Sequence, residues 1–264
     1  MVRQYTSASS GEEVVLGKRS SAVNRRDAVA HFKIGIDHEV AGRYREAVWF
    51  MQKAIETDPT YVPAYNELGV LYCRLSQYAE ATNAFKLAIN YEPHQPATVA
   101  NLGTAYFLLG RYSDAADSLR DAVKLDPNFE IARNNLGQAL LKTGQYQEAI
   151  DCISQVIQQQ GRDVAPLYND IGVAYSHLKR FQDAANYLHL AIQIKENYAL
   201  ARYNLGLVSL RTNDRNAAYD QYLALKSLDR NLADELYTRM FANRILPVED
   251  GSIPHGDRSG SRKR

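Results

Sequence analysis

The sequence predicts an all-α chain built as a stack of helix pairs, and three observations carry that prediction. The stretch Pro96–Phe129 lands on a near-copy of itself when moved 34 residues in either direction. Glycine recurs at its eighth position, as Gly35, Gly69, Gly103, Gly137, Gly172 and Gly206. Alanine recurs at its twentieth, as Ala47, Ala81, Ala115, Ala149, Ala184 and Ala218. Each copy also holds two runs of helical spacing with a break between them. A unit of this size buries its apolar face only against its neighbours, so the chain reads as one α-solenoid rather than one or two globular domains.

Within Pro96–Phe129 the first run is Val99, Leu102, Gly103 and Tyr106, spaced i, i+3, i+4 and i+7. Gly110 and Arg111 interrupt it. The second run is Tyr112, Ala115, Leu119 and Ala122, and Asp126-Pro127 ends it, because proline lacks an N–H and biases the preceding residue away from helix. A mid-helix glycine costs roughly 1 kcal/mol relative to alanine. Gly103 is tolerable where a second helix lies against it, and Ala115 opposite permits that approach.

The other columns agree. Position seven reads Ile34, Leu68, Leu102, Leu136, Ile171 and Leu205; position 27 reads Ala54, Ala88, Ala122, Val156, Ala191 and Leu225. Position 17 is Tyr44, Tyr78, Tyr112, Tyr146, Phe181 and Arg215, and three repeats end in Pro59, Pro93 and Pro127. This pattern resembles the tetratricopeptide repeat (TPR) family over Ala28–Leu232. The resemblance implies a right-handed α-solenoid of six helix–turn–helix repeats, 28–61, 62–95, 96–129, 130–163, 165–198 and 199–232. Repeat four ends in Gly161 and carries one extra residue. Repeat six departs at Ser209, Arg215 and Leu225, as terminal repeats do.

Residues 1–27 read as a polar segment, with helix starting near Asn24 or Asp27. After the repeats, Leu232, Leu236 and Met240 fall at i, i+4 and i+8. They predict a capping helix over 231–244 with Asn231 as its N-cap. Residues 248–264 have the Gly/Ser/charge mix of a disordered basic tail.

Net charge is +1 and the excess of basic residues sits at the two ends, so nothing points to nucleic acid. No apolar run is long enough to span a membrane, and the first residues lack a hydrophobic signal core. Cys73 and Cys152 fall in different repeats on different faces, which suits free thiols and a cytoplasmic location. Six histidines and two cysteines show no zinc spacing, and no phosphate loop or nucleophile motif appears. His31 and His38 share a helix face at positions four and eleven, where they stand in for core aromatics. The chain is therefore read as a non-enzyme with no cofactor, metal or small-molecule ligand.

Function in a solenoid belongs to its concave face, lined here by positions 2, 6, 9 and 13 of each first helix. Position six reads Lys33, Glu67, Asn101, Asn135, Asp170 and Asn204; position five adds Asn66, Asn134 and Asn169. Asparagine is a mediocre helix former, so its recurrence at interior helical positions asks for a reason. An amide both donates and accepts, and can pair with a peptide backbone without reading side chains. The row looks like the asparagine ladder of TPR superhelices that grip extended peptides. The alternative is that these asparagines are solvated or bond between helices. At position 13, Arg74, Lys142, His177 and Arg211 form a row suited to acidic side chains or a carboxylate, or to solvent. The TPR clamp for chaperone carboxylates is absent, because position two has no lysine and position six no arginine. The reading is a scaffold that binds an extended segment of a partner protein. Its rival is a structural component that self-associates through solenoid ends, and the oligomeric state stays open. If the asparagines only grip a peptide, alanine at Asn101, Asn135 and Asn204 leaves the fold intact.

Overall fold

The computed structural model describes residues 10–159 and 164–241, with side chains over 24–158 and 164–241. Those residues form helices and turns without a strand. The long first helix, α1 (Ser10–Val40), is followed by α2 (Tyr44–Thr57), α3 (Val62–Arg74), α4 (Tyr78–Tyr91), α5 (Pro96–Leu108) and α6 (Tyr112–Leu125). Then come α7 (Glu130–Lys142), α8 (Tyr146–Gln159), α9 (Ala165–His177), α10 (Phe181–Ile194), α11 (Ala199–Arg211), α12 (Arg215–Leu228) and α13 (Arg230–Phe241). The chain divides into two compact units, Met1–Ala132 and Arg133–Arg264. The fold is a TPR α-solenoid, and the helices keep the expected register: positions 1–13 form the first helix of each repeat and positions 17–30 the second.

The break between paired helices has one construction throughout. The residue at position 15 has positive φ in every repeat: Gly42, Ser76, Gly110, Gly144, Lys179 and Asn213. The N–H at position 16 then reaches back to the carbonyl at position 11, as in Arg111 to Tyr106 and Arg180 to Tyr175, both at 2.9 Å. This satisfies carbonyls that the helix end would otherwise orphan. Left-handed backbone costs a residue with a Cβ roughly 1–2 kcal/mol. Lys179, at φ 60°, carries that strain without the local hydrogen bonding open to asparagine. Lys179→Gly is therefore expected to raise stability by about 0.5–1 kcal/mol after the glycine's extra chain entropy. Urea unfolding of the two proteins checks it.

In repeats one to five the repeat glycine receives one large side chain from position 24. A Cβ on Gly69 would lie 2.5 Å from the Phe85 ring, on Gly103 2.6 Å from Leu119 Cγ, and on Gly172 2.7 Å from Leu188 Cγ. The predicted Gly103–Ala115 approach exists as well, with the Ala115 carbonyl at 3.2 Å. Repeat six differs: a Cβ on Gly206 would meet Leu236 of α13 at 2.6 Å. The last helix thus covers the glycine that Tyr222, at position 24, does not.

Two expectations about the ends need correction, the start of the first helix and the cap of the last. Helix begins at Ser10 rather than near Asn24 or Asp27, because a helix once nucleated extends through a stretch without proline, and Gly11 and Gly17 weaken it by roughly 1 kcal/mol each without ending it. The polar N-terminal segment is also engaged: Arg25 pairs with Asp58 at 2.9 Å and lies over the Tyr61 ring at 4.7 Å. At the other end Asp229, not Asn231, caps α13. Its carboxylate accepts the N–H groups of Asn231 at 3.0 Å and Leu232 at 3.1 Å. Residues 242–244 of the expected capping helix and the basic tail 248–264 lie outside the described residues, as does Gly161.

The face of α1 that would meet a preceding repeat is polar at its centre. Ile34 is 41 % exposed where its counterpart Leu68 is 8 % exposed. Asp37 is exposed at position ten, where Leu71, Ala105, Ala139, Ala174 and Val208 are buried.

Candidate functional site

In the first unit the predicted stripe runs over α1, α3 and α5. Its charged part is a cluster. Arg74 Nε pairs with Glu39 at 3.2 Å, and its guanidinium lies 5.7 Å from the Tyr44 ring. Burial and the hydrogen-bonded Glu39 carboxyl push Glu67 up to about 7, against the pull of Arg74. The predicted cation at position 13 is thus already occupied by the chain's own carboxylates. Asn101 on α5 is different. It is half-buried, and among the described residues its side chain makes no hydrogen bond. The fixed helix backbone holds its donor and acceptor in place.

In the second unit the polar stripe turns inward. Asn204 on α11 donates to Asn169 Oδ1 on α9 at 2.9 Å. Asn169 donates to Asp170 Oδ1 at 3.4 Å, and Gln138 on α7 donates to Asp170 Oδ2. Asn169 and Asn204 are both 0 % exposed, and Asp170 is 8 % exposed. This corrects the sequence expectation for two residues: Asn169 and Asn204 bond between helices, and no peptide lying on the surface reaches them. Helical spacing gave the right face but not the depth, since in this unit position five on α9 and position six on α11 are both closed off from solvent. Gln138, at position nine, is the member of the network that the asparagine pattern missed.

The remaining predicted residues are spread out. Asn135 is half-buried on α7, and the side-chain oxygen of its neighbour Asn134 is buried. Lys142, His177 and Arg211 stand in the last turns of α7, α9 and α11. His177 stacks on Tyr146 with 4.5 Å between centroids and 8° between planes. His31 and His38 flank Phe50 at 6.4 and 5.0 Å. Phe107 packs edge-on against Tyr112, and Leu141 is buried. Cys73 and Cys152 are free thiols, and burial raises the Cys73 pKa. Among the described residues there is no metal-ligand cluster, and no helix is long and apolar enough to cross a membrane.

Comparison with known proteins gives a family and a fold. The family model described as "Cilia and flagella-associated protein 70 C-terminal domain" matches residues 3–237. No curated protein matches the sequence. Among solved structures the chain is similar to YrrB, described as a TPR protein with an unusual peptide-binding site, at 25 % identity and TM-score 0.62. That match covers 74 % of this chain and 97 % of YrrB. It is similar to PilW, a type IV pilus biogenesis factor, at 20 % identity and TM-score 0.64, covering 81 % and 98 %. It is also similar to MamA from Desulfovibrio magneticus RS-1 at 23 % identity and TM-score 0.61, covering 64 % and 96 %.

Proposed function

The chain belongs to the family of the cilia and flagella-associated protein 70 C-terminal domain, and from that premise we propose that it is a non-enzymatic scaffold that binds an extended segment of a partner protein. The observation that carries this reading is Asn101: a half-buried amide on a rigid helix, with no side-chain hydrogen bond among the described residues. Such a group matches the alternating C=O and N–H of an extended chain. Asn135 occupies the same position of the next repeat. YrrB, of the same fold, is described as having a peptide-binding site. No cofactor or catalytic group enters this reading, and the location it suits is the cytoplasm.

Selection from a displayed random peptide library tests it. A selected peptide should lose about 0.5–1.5 kcal/mol of binding, roughly 2- to 12-fold, on Asn101→Ala, with folding stability unchanged. Failure to enrich any peptide, or affinity indifferent to Asn101→Ala and Asn135→Ala, removes the proposal. A second reading, self-association, rests on the exposed Tyr219, Leu223, Tyr237 and Phe241 of α12 and α13. A solution mass that rises with concentration would favour it.

A further inference from the structure

A groove of about 620 Å³ opens in the first unit between α2 and α4, floored by α3. Ile55, Tyr65, Leu68 and Leu87 give it an apolar lining, and Tyr72 and Glu80 stand in its wall. These α3 residues occupy positions four, seven and eleven, a different face from Glu67 and Arg74.

The sibling repeats show what covers a tyrosine in this place. In repeat three, Tyr106 at position eleven carries Arg111, from position 16, at 4.7 Å from its ring. Arg111 in turn pairs with Asp114 of position 19 at 2.7 Å. In repeat five, Tyr175 carries Arg180 at 4.5 Å, and Arg180 pairs with Asp183 at 2.8 Å. Repeat two keeps the tyrosine, Tyr72, and the acid, Glu80, but has Gln77 at position 16. Among the described residues no cation lies over Tyr72 and none pairs with Glu80. Gln52 instead donates to the Tyr72 hydroxyl at 3.2 Å, at the rim of the ring. A ring face and a carboxylate together favour the planar guanidinium over an ammonium.

We propose that this groove is a docking site for an arginine-bearing segment of a partner protein. Its guanidinium takes the place beside Tyr72 and Glu80 that Arg111 and Arg180 fill in their own repeats. The groove is too large for a guanidinium alone and falls in the range of ligand sites, roughly 300–1,000 Å³. An apolar residue next to the arginine covers Leu68 and Leu87, the latter 49 % exposed.

The test uses the isotope-labelled full chain and two peptides, Ac-Leu-Arg-Leu-NH2 and Ac-Leu-Gln-Leu-NH2, titrated by amide chemical shift. The arginine peptide should move the signals of Tyr72, Glu80 and Leu87 with a Kd on the order of a millimolar. The glutamine peptide should bind about fivefold or more weakly. Gln77→Arg, which restores the siblings' own cation, should weaken the arginine peptide by a similar factor of about five while leaving the fold unchanged. Glu80→Gln should weaken it too, and Asn101→Ala should not, which separates this site from the amide stripe. Equal binding of both peptides, undiminished binding to Gln77→Arg and Glu80→Gln, or no shifts at all would overturn the proposal. Tighter binding by the full-length Arg258→Gln, Arg262→Gln, Arg264→Gln variant would assign the groove to the chain's own tail. Concentration-dependent shifts of the same signals without peptide would assign it to a second copy. Either result also overturns the partner proposal.

Discussion

Gly103→Leu is expected to destabilise the protein by about 2–3 kcal/mol although it improves helix propensity. The gain from replacing a mid-helix glycine is below about 1 kcal/mol. Against it stands the space available. The first added atom would already sit 2.6 Å from Leu119 Cγ and 3.2 Å from the Ala115 carbonyl oxygen. Leu119 is fully buried and cannot swing into solvent, and the carbonyl belongs to the backbone of α6. The helices must therefore part, and parting α5 from α6 loosens a contact that the repeat depends on. Urea unfolding followed by circular dichroism measures the loss. A second variant identifies the cause. Leu119→Ala alone should cost about 2–5 kcal/mol as a core truncation. Combined with Gly103→Leu it should cost less than the sum, because the new side chain fills the space that Leu119 leaves. Additive effects, or a Gly103→Leu protein as stable as its parent, would mean that the glycine column reflects something other than close packing.

The glycine column was legible in the sequence because a residue that costs helix stability recurred without a local reason to be there. Its partner was harder to see. Position 24 reads Met51, Phe85, Leu119, Ile153, Leu188 and Tyr222, large but not identical residues. Identity repeats only where space is restricted to one residue type, while any large side chain fills a hollow. The helix boundaries were legible for a related reason: proline and the turn residues act locally. What acts through space was not. Asn231 looked like the cap of the last helix, but the turn left Asp229 two residues from the orphan N–H groups, and the carboxylate took them. The start of α1 is not marked in the sequence because residues 10–23 carry no proline and no apolar period, and the two glycines there, Gly11 and Gly17, read equally well as loop or as weakened helix. The asparagines show the same division. The pattern placed Asn101, Asn135 and Asn204 at equivalent positions. Burial then separated them, leaving Asn101 half-exposed with a free amide and Asn204 closed off.

Asn204→Ala is therefore expected to lose stability, the opposite of what a solvent-facing ladder residue would do. Alanine is the better helix former by up to about 0.7 kcal/mol. That gain is outweighed by what the substitution leaves behind. Asn169 Oδ1 accepts from the Asn204 amide at 2.9 Å, and both residues are 0 % exposed. Removing the donor strands an acceptor where water does not reach, at a cost of about 1–3 kcal/mol, plus the space left by the lost amide. The disturbance passes down the chain of contacts, because Asn169 also donates to Asp170, which accepts from Gln138. The expected net loss is about 1–2 kcal/mol. Asn169→Ala should destabilise as well, whereas the double alanine variant should cost less than the two singles added, since removing both partners strands neither. Binding supplies the second readout. At equal folded fraction, a peptide that senses Asn101→Ala should bind Asn204→Ala with unchanged affinity. If Asn204→Ala instead kept full stability and lost peptide affinity, the amide would face a ligand and the buried Asn169–Asn204 bond would not be the state that binds.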